Sequence, residues 1–187
     1  MKGVIFNLLE RFIVEGWGTE IYERVLGQCP LQTKEPFVGP GTYPDSDLMA
    51  IVEKTCETLQ VPVADAVRAF GKFCFPHLVA GHLHFLDGYD HPRDLLKTVD
   101  SVIHVEVRKL YPQAVTPEFS HEELPGGALL LRYRSPRQLC ALVEGLIDGV
   151  AEHYRMPIDC RHVTCTRDGA AACEFMLGFA ALPVGAR

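Results

Sequence analysis

The stretch Leu131-Arg132-Tyr133-Arg134-Ser135-Pro136-Arg137-Gln138-Leu139-Cys140 marks the point at which the chain changes from strand to helix. The residues up to Arg134 are typical of a short strand, Ser135-Pro136 indicates a turn, and the apolar residues that follow recur at helical spacing. In an extended stretch, Tyr133, Ser135 and Arg137 share one face, because side chains repeat every second residue. Two hydroxyls and a guanidinium suit a buried dicarboxylate. The same residues also fit an ordinary strand end, so the pattern alone leaves both interpretations open.

The first two thirds of the chain show helical periodicity. The first predicted helix runs through Ile5, Leu8, Leu9 and Phe12 and stops at Gly16 to Gly18, and the second covers Trp17 to Leu26. A connecting loop over Cys29 to Pro44 leads to a third helix, capped by Asp45 or Ser46, and a fourth helix begins near Val61-Pro62. A long helix follows over Pro92 to Leu110. The stripe from Leu95 to Leu110 is the predicted buried face of that long helix.

The last third changes character. It shows two short strands over Pro117 to Phe119 and Gly127 to Arg134, a helix from Leu139 to Tyr154, and a hairpin of Ile158 to Thr166 and Cys173 to Gly178 around Asp168-Gly169. These patterns predict an α+β fold, with a helical N-terminal part (about 1–112) packed with an antiparallel sheet and helices in a sheet-containing part (about 113–187). A chain of 187 residues with 48% hydrophobic residues can build one core, so we expect a single domain over 1–187.

Composition excludes several classes of partner. A formal net charge of -6 disfavours a nucleic-acid binder, which needs a basic surface. Glu10 and Arg11 interrupt the apolar N-terminal stretch, and no run reaches the length of a membrane span, so we expect neither a signal peptide nor a membrane segment. Seven cysteines without an export signal predict reduced thiols in the cytoplasm.

A single histidine in the long predicted helix stands apart. Periodicity places His104 at the rim of the apolar face, near Asp100, Arg108 and Tyr111. A histidine in that position is structural, solvated or a ligand, and spacing does not decide among these roles. His82 and His84 alternate in a predicted loop, and we interpret them as ordinary residues.

These motifs together resemble one protein family. From Met1-Lys2-Gly3-Val4-Ile5-Phe6-Asn7 to the final hairpin, the chain is similar to the heme nitric oxide/oxygen binding (H-NOX) domains of bacteria, relatives of the sensor domain of soluble guanylate cyclase. The resemblance is carried by His104 in Ile-His-Val-Glu-Val-Arg-Lys-Leu-Tyr-Pro, by Pro117, and by the Tyr-x-Ser-x-Arg motif. It implies a heme b between the two parts, with His104 as axial ligand of the iron, Tyr133, Ser135 and Arg137 at the propionates, and Pro117 pressed against the macrocycle.

The resemblance also implies a distal pocket and a gas preference. The residues that match its open iron face are Ile5, Leu9, Cys74, Phe75, Leu142 and Leu146. Oxygen-binding members carry a hydrogen-bonding tyrosine at the position of Leu142. Bound dioxygen needs a donor more than nitric oxide does, so an apolar pocket implies a sensor of nitric oxide, which also binds carbon monoxide and excludes oxygen.

No catalytic motif stands out, so we expect no enzyme. The chain has no room for an output domain, and the resemblance then implies a separate signalling partner such as a histidine kinase or a cyclic-di-GMP enzyme. The runner-up hypothesis is a zinc-stabilised small-molecule-binding module without heme.

Four cysteines form a second candidate site: Cys140, Cys160, Cys165 and Cys173. Thiolates in a reduced compartment favour a tetrahedral zinc site, although a redox switch or ordinary cysteines remain alternatives. Cys160 and Cys165 are five residues apart and face opposite sides of a regular strand, so shared coordination needs a bulge or strand end near Thr164. Some bacterial members of the family resemble this pattern and carry zinc. The remaining cysteines, Cys29, Cys56 and Cys74, fit a core.

Overall fold

The structure is a computed structural model that describes residues 1–80, 86–111 and 114–180. His82 and His84 lie outside the described residues. The N-terminal part consists of α1 (Gly3–Trp17), α2 (Thr19–Gln28), α3 (Asp45–Leu59) and α4 (Val63–Ala80). Gly18 separates α1 from α2 and has a φ of 93°. Glycine suits this position, because a positive φ strains residues that have a Cβ. The apolar faces of the four helices bury a common core around Phe6, Ile13 and Ile51.

The long helix predicted over Pro92 to Leu110 is interrupted. It consists of α5 (Pro92–Thr98), a π-helical segment (Val99–Ile103) and α6 (His104–Leu110). The amide of His104 donates to the carbonyl of Val99, five residues earlier, which is the hydrogen bond that defines a π turn. Periodicity cannot detect this wider turn, because one turn shifts the apolar stripe only slightly. Leu110, predicted on the buried face, is 56% exposed.

The C-terminal part is a four-stranded antiparallel sheet with the order β1-β2-β4-β3, covered by one helix. Its elements are β1 (Glu118–Glu123), β2 (Leu129–Arg134), α7 (Cys140–His153), β3 (Ile158–Thr164) and β4 (Cys173–Phe179), with 3₁₀ turns at Pro125–Gly127 and Thr166–Asp168. The strand predicted over Pro117 to Phe119 begins one residue later and runs to Glu123. Leu131 and Phe175, opposite each other in β2 and β4, lie in the core beneath α7.

The predicted N-cap of α3 is wrong. Pro44 occupies the cap position, and no side chain caps this helix. The carboxylate of Asp45 binds groups from other parts of the chain, Met1 and Arg137, and is therefore not free to bond to its own helix. Asp47, 1% exposed, accepts hydrogen bonds from the amides of Gln32 and Thr33 and fixes the connecting loop.

The two parts meet where α4 packs on α7. A Cβ added at Gly145 would overlap the carbonyl of Arg68, and one added at Gly71 would overlap the carbonyl of Leu142. The backbones of the two helices are therefore in direct contact, with no side chain between them at these positions. Among the described residues, no helix combines the length and apolar character needed to cross a membrane.

Candidate functional site

His104 begins α6 directly after the π-helical segment. Only 15% of its side chain is exposed, and Nδ1 is buried without a hydrogen-bond partner among the described residues. Asp100 Oδ1 lies 3.5 Å from Nδ1, which is at the distance limit for a hydrogen bond, and it also lies 3.5 Å from the amide of Phe119. Burial lowers the pKa of His104, so the imidazole is neutral at pH 7. A neutral, buried imidazole is the form that ligates a metal.

His104 lies beside the start of the sheet. Its ring centroid is 5.6 Å from that of Phe119 in β1, and Phe119 is 5.3 Å from Tyr133 in β2. The backbone of Pro117 is close enough to affect the pKa of His104. The histidine, the proline and the first residue of the Tyr-x-Ser-x-Arg motif are thus neighbours, although up to 29 positions separate them in the sequence.

The Tyr-x-Ser-x-Arg motif builds the turn between β2 and α7. The hydroxyl of Tyr133 accepts a hydrogen bond from the amide of Leu139 at 3.2 Å, and the hydroxyl of Ser135 accepts one from the amide of Arg137 at 3.2 Å. Tyr133 and Ser135 are 3% and 7% exposed. Burial raises the pKa of Tyr133, so it stays protonated and keeps an O–H for donation.

Arg137 connects this turn to the N-terminal part. Its Nε donates to Asp45 Oδ2 at 2.7 Å, and its Nη1 donates to the carbonyl of Val115 at 2.7 Å. The other oxygen of Asp45 accepts from the amine of Met1 at 2.5 Å. Burial favours the neutral acid, but hydrogen bonds from Met1 and Arg137 bring the pKa of Asp45 below its usual value. The guanidinium is therefore held in one orientation by two protein groups.

The six residues predicted for the distal pocket lie along the boundary between the two core clusters. Leu9 and Cys74 are buried in the N-terminal cluster, Ile5 and Leu142 pack against it, Phe75 belongs to the C-terminal cluster, and Leu146 contacts both. Their side chains are apolar except for the thiol of Cys74, whose pKa is raised by burial. A thiol is only a weak hydrogen-bond donor, so these six side chains offer no strong donor.

Comparison with known proteins identifies the family. The family model described as Haem-NO-binding (HNOB) matches residues 2–162. The chain belongs to the H-NOX family. An H-NOX protein from S. oneidensis in the Fe(II)NO ligation state is 35% identical, covers 97% of this chain and 100% of its own, and has a TM-score of 0.91. The IWP-051-bound H-NOX from Shewanella woodyi in the Fe(II)CO state is 35% identical over 100% of this chain and 97% of its own, with a TM-score of 0.83.

A more distant H-NOX protein, from K. algicida, shares the fold at 24% identity, with a TM-score of 0.91 over 100% of both chains. The expected family and the expected α+β fold are both confirmed. H-NOX domains are heme-binding gas sensors.

The cysteine cluster lies where the start of α7 meets the turn between β3 and β4. The ligand atoms of Cys140, His162, Cys165 and Cys173 all lie within 4.8 Å of one another. Cys165 Sγ is 3.9 Å from both Cys140 Sγ and Cys173 Sγ. Burial opposes ionisation of Cys173, but hydrogen bonds from the hydroxyl and the amide of Thr166 bring its pKa below the usual value. A cavity of about 390 Å³ opens onto the cluster.

The structure brings three of the four predicted cysteines together and adds His162 in place of Cys160. The expected irregularity is present, because the register of β3 against β4 shifts between His162 and Thr164. Cys160 nevertheless lies opposite Leu177, two residues before His162 in β3 and away from the other sulfurs. Burial, and then the charge of Glu144, raise the pKa of Cys160 to about 12. His162 takes the place that we predicted for Cys160.

Two residues of these sites were not predicted. His162 could have been found from its spacing to Cys165, since a histidine and a cysteine separated by two residues are a common pair of zinc ligands. The contact of Asp45 with Arg137 leaves no local signal, because 92 positions separate the two residues.

Replacing Arg137 with Ala should speed heme loss more than replacing Ser135 with Ala. The first change removes the guanidinium that the turn presents, at a cost of about 2 kcal/mol or roughly thirtyfold in heme affinity, whereas the second removes a neutral bond worth about 1 kcal/mol. Transfer of heme to apomyoglobin measures both rates. Equal rates for the two variants would contradict a role of Arg137 in holding the propionates.

Proposed function

We propose that this H-NOX domain is a nitric oxide sensor that holds heme b through His104 and excludes oxygen. The propionate groups are bound by Tyr133, Ser135 and Arg137. The observation that carries the proposal is the imidazole of His104, which is neutral, buried and without a hydrogen-bond partner at Nδ1 among the described residues. A buried polar group is costly unless it has a partner, and His104 could supply a neutral imidazole as ligand to the iron of a bound heme.

The Tyr-x-Ser-x-Arg motif fits the propionate groups of the heme. Its two buried hydroxyls keep their protons, and its guanidinium is fixed by Asp45 and Val115. When bound, heme supplies a ferrous iron with one axial position open to a diatomic gas. The chain would then hold the heme through His104 and through the Tyr-x-Ser-x-Arg turn.

The distal residues determine which gas is retained. Ile5, Leu9, Phe75, Leu142 and Leu146 exclude water and offer no hydrogen-bond donor. Oxygen needs a donor for its partial negative charge, and nitric oxide and carbon monoxide need much less help. The Fe(II)NO state of the S. oneidensis protein and the Fe(II)CO state of the S. woodyi protein support this preference by analogy.

The signal is expected to travel through the segment that holds His104. No residue of the π-helical segment or of α6 is fully buried, so this segment can move with less loss of packing than the other helices. Pro117 directly precedes β1, on the stretch of chain between this segment and the sheet. The partner is a separate protein, such as a histidine kinase or a cyclic-di-GMP enzyme, and the sensor itself is not an enzyme. We place it in the cytoplasm, in agreement with its free cysteines.

Replacing His104 with Gly should leave a folded protein that retains heme poorly. The single strong bond from the chain to iron is lost, and free imidazole should restore heme binding by filling the space. The Soret absorbance per protein, with and without imidazole, measures the effect. His121, exposed on β1, provides the control, and the same change there should leave heme content unchanged. Full heme content and an unchanged reduced spectrum in the His104→Gly protein would refute the axial assignment.

The reduced wild-type protein should show a shifted Soret band with nitric oxide, and in air-equilibrated buffer it should keep the spectrum of the oxygen-free protein. Leu142→Tyr should move the domain toward oxygen binding, because its phenol can donate a hydrogen bond inside an apolar pocket. Leu142→Phe is the matched control, since it has the same ring without a donor. Both variants carry an overpacking cost of about 1–3 kcal/mol. A stable oxygen spectrum in the wild-type protein would overturn the apolar-pocket argument.

A second role, as a zinc or redox site, is favoured by the cluster of Cys140, His162, Cys165 and Cys173. Four ligand atoms of the types that zinc prefers converge within 4.8 Å, and His162 Nε2 is buried without a hydrogen-bond partner among the described residues. Zinc would join the N-terminus of α7 to the β3–β4 turn and hold the thiolates against oxidation. Once the metal is lost, a peroxide could take two electrons and two protons from a pair of these thiols, 3.9 Å apart, and join them in a disulfide, with water as the other product.

Metal analysis of two cysteine variants tests this second role. Cys165→Ser should lose the zinc, because Cys165 lies between the other two sulfurs of the cluster, whereas Cys160→Ser should retain it. Atomic emission on protein purified from zinc-supplemented medium measures the metal per chain. If Cys160→Ser loses zinc as fully as Cys165→Ser does, Cys160 is a ligand and the set of three cysteines with His162 is wrong.

A further inference from the structure

One side chain links the cysteine cluster to the rest of the molecule. Glu144 lies on α7, one helical turn after Cys140, and its side chain is 19% exposed. Oε1 of Glu144 lies 2.8 Å from Nδ1 of His162. The opposite nitrogen, Nε2, is buried and has no hydrogen-bond partner among the described residues. It is therefore the nitrogen that is free to join the sulfurs of the cluster.

The hydrogen bond determines which nitrogen of His162 carries the proton. A carboxylate accepts and cannot donate, so Nδ1 must be the protonated nitrogen, and Nε2 then presents its lone pair to the three sulfurs. The ring is also stacked on Phe175, with centroids 4.5 Å apart and an angle of 29° between the planes. Since Phe175 is fully buried, the position of the ring is fixed by the core and its rotation by Glu144.

The second oxygen of Glu144 faces a different element. Oε2 lies 3.4 Å from Nη1 of Arg68 in α4. Arg68 is held in turn by both oxygens of Asp148, with distances of 2.6 and 3.0 Å. Arg68 and the two carboxylates thus bridge α4 and α7 at the position where Gly145 brings their backbones into contact.

We propose that Glu144 is the positioning residue that makes His162 a metal ligand, and that it ties the cysteine cluster to α4 through Arg68. The proposal rests on the zinc site proposed above and assigns what controls it. Metal-binding histidines commonly pair their second nitrogen with a carboxylate, which orients the ring and strengthens its bond to the metal. Glu144 is placed for this role by α7, the same helix that contributes Cys140 to the cluster.

The link has a consequence for the gas sensor. Leu142 and Leu146, on either side of Glu144 in α7, line the distal part of the heme pocket by resemblance to the family. Metal binding fixes His162, His162 fixes Glu144, and Glu144 holds Arg68 of α4. Binding of the metal should therefore stiffen the α4–α7 contact that carries the distal residues.

Zinc affinity in a set of variants of the heme-loaded protein tests the role of Glu144. Glu144→Ala should weaken zinc binding by about 10- to 100-fold, since it removes the partner of Nδ1. Glu144→Gln should fall between this variant and the wild type, because its amide oxygen still accepts a hydrogen bond but carries no charge. Glu152→Ala is the control: it removes another carboxylate of α7 that pairs with α4, through Lys72, without touching Arg68 or His162, so the affinity should be unchanged. Competition with a chromogenic chelator gives the affinities.

A double-variant cycle separates this role from a general structural one. If Glu144 acts through His162, then Glu144→Ala should cause no further loss of zinc affinity in a His162→Ala protein. The absorption spectrum of the cobalt-substituted protein provides a second readout, since the bands of Glu144→Ala should shift toward those of His162→Ala. The Soret spectrum of each variant confirms that the domain has folded.

The outcomes distinguish the role of Glu144 from the existence of the metal site. Wild-type affinity in Glu144→Ala, or an equal loss in the His162→Ala background, would overturn the role of Glu144 while the zinc site stands. Failure of the wild-type protein to bind zinc or cobalt would overturn the metal site and this proposal with it.

Discussion

The direct contact between the backbones of α4 and α7 is the constraint on which the rest of the molecule depends. Gly71 and Gly145 allow it, because any side chain at either position would overlap a carbonyl group of the other helix. The contact brings Cys74 and Phe75 of α4 against the face of α7 that carries Leu142. It also brings Arg68 within reach of Glu144 on the same helix pair. One close approach thus positions both the residues of the proposed distal pocket and the proposed support of the cysteine cluster.

The segment around His104 is less tightly packed than the α4–α7 pair. It contains no fully buried residue, its helix is widened by a π turn, and its histidine has a buried nitrogen without a hydrogen-bond partner among the described residues. Such features are costly in a purely structural element and are typical of functional sites. The molecule therefore joins the tightly packed pair of α4 and α7 to a segment around His104 that has less packing to lose. That asymmetry suits a sensor, because a change at His104 meets little resistance on its own side.

Two carboxylates show how distant parts of the chain are held together. Asp45 binds the amine of Met1 and the guanidinium of Arg137, and Glu144 contacts His162 and Arg68. Each uses its two oxygens for two different elements. A carboxylate has lone pairs to spare, so it can satisfy two donors at once where an amide would leave one of its groups unmatched. In both cases the shared carboxylate lies beside a ligand-binding motif and sets the orientation of one of its members.

Local sequence determined the helices, the antiparallel strands and the Tyr-x-Ser-x-Arg turn, because periodicity, glycine positions and short-range hydrogen bonds are properties of neighbouring residues. It also singled out His104, although only the resemblance to a family assigned it a role. The tertiary structure decided the π turn before His104, the pairing of Asp45 with Arg137, and the replacement of Cys160 by His162 in the cysteine cluster. Each of these depends on which surfaces meet in space. The register of β3 against β4 shifts between His162 and Thr164, beside the sulfurs, and residues 92 positions apart become partners. Sequence spacing carries no information about these long-range contacts, because they result from the packing of whole helices and strands.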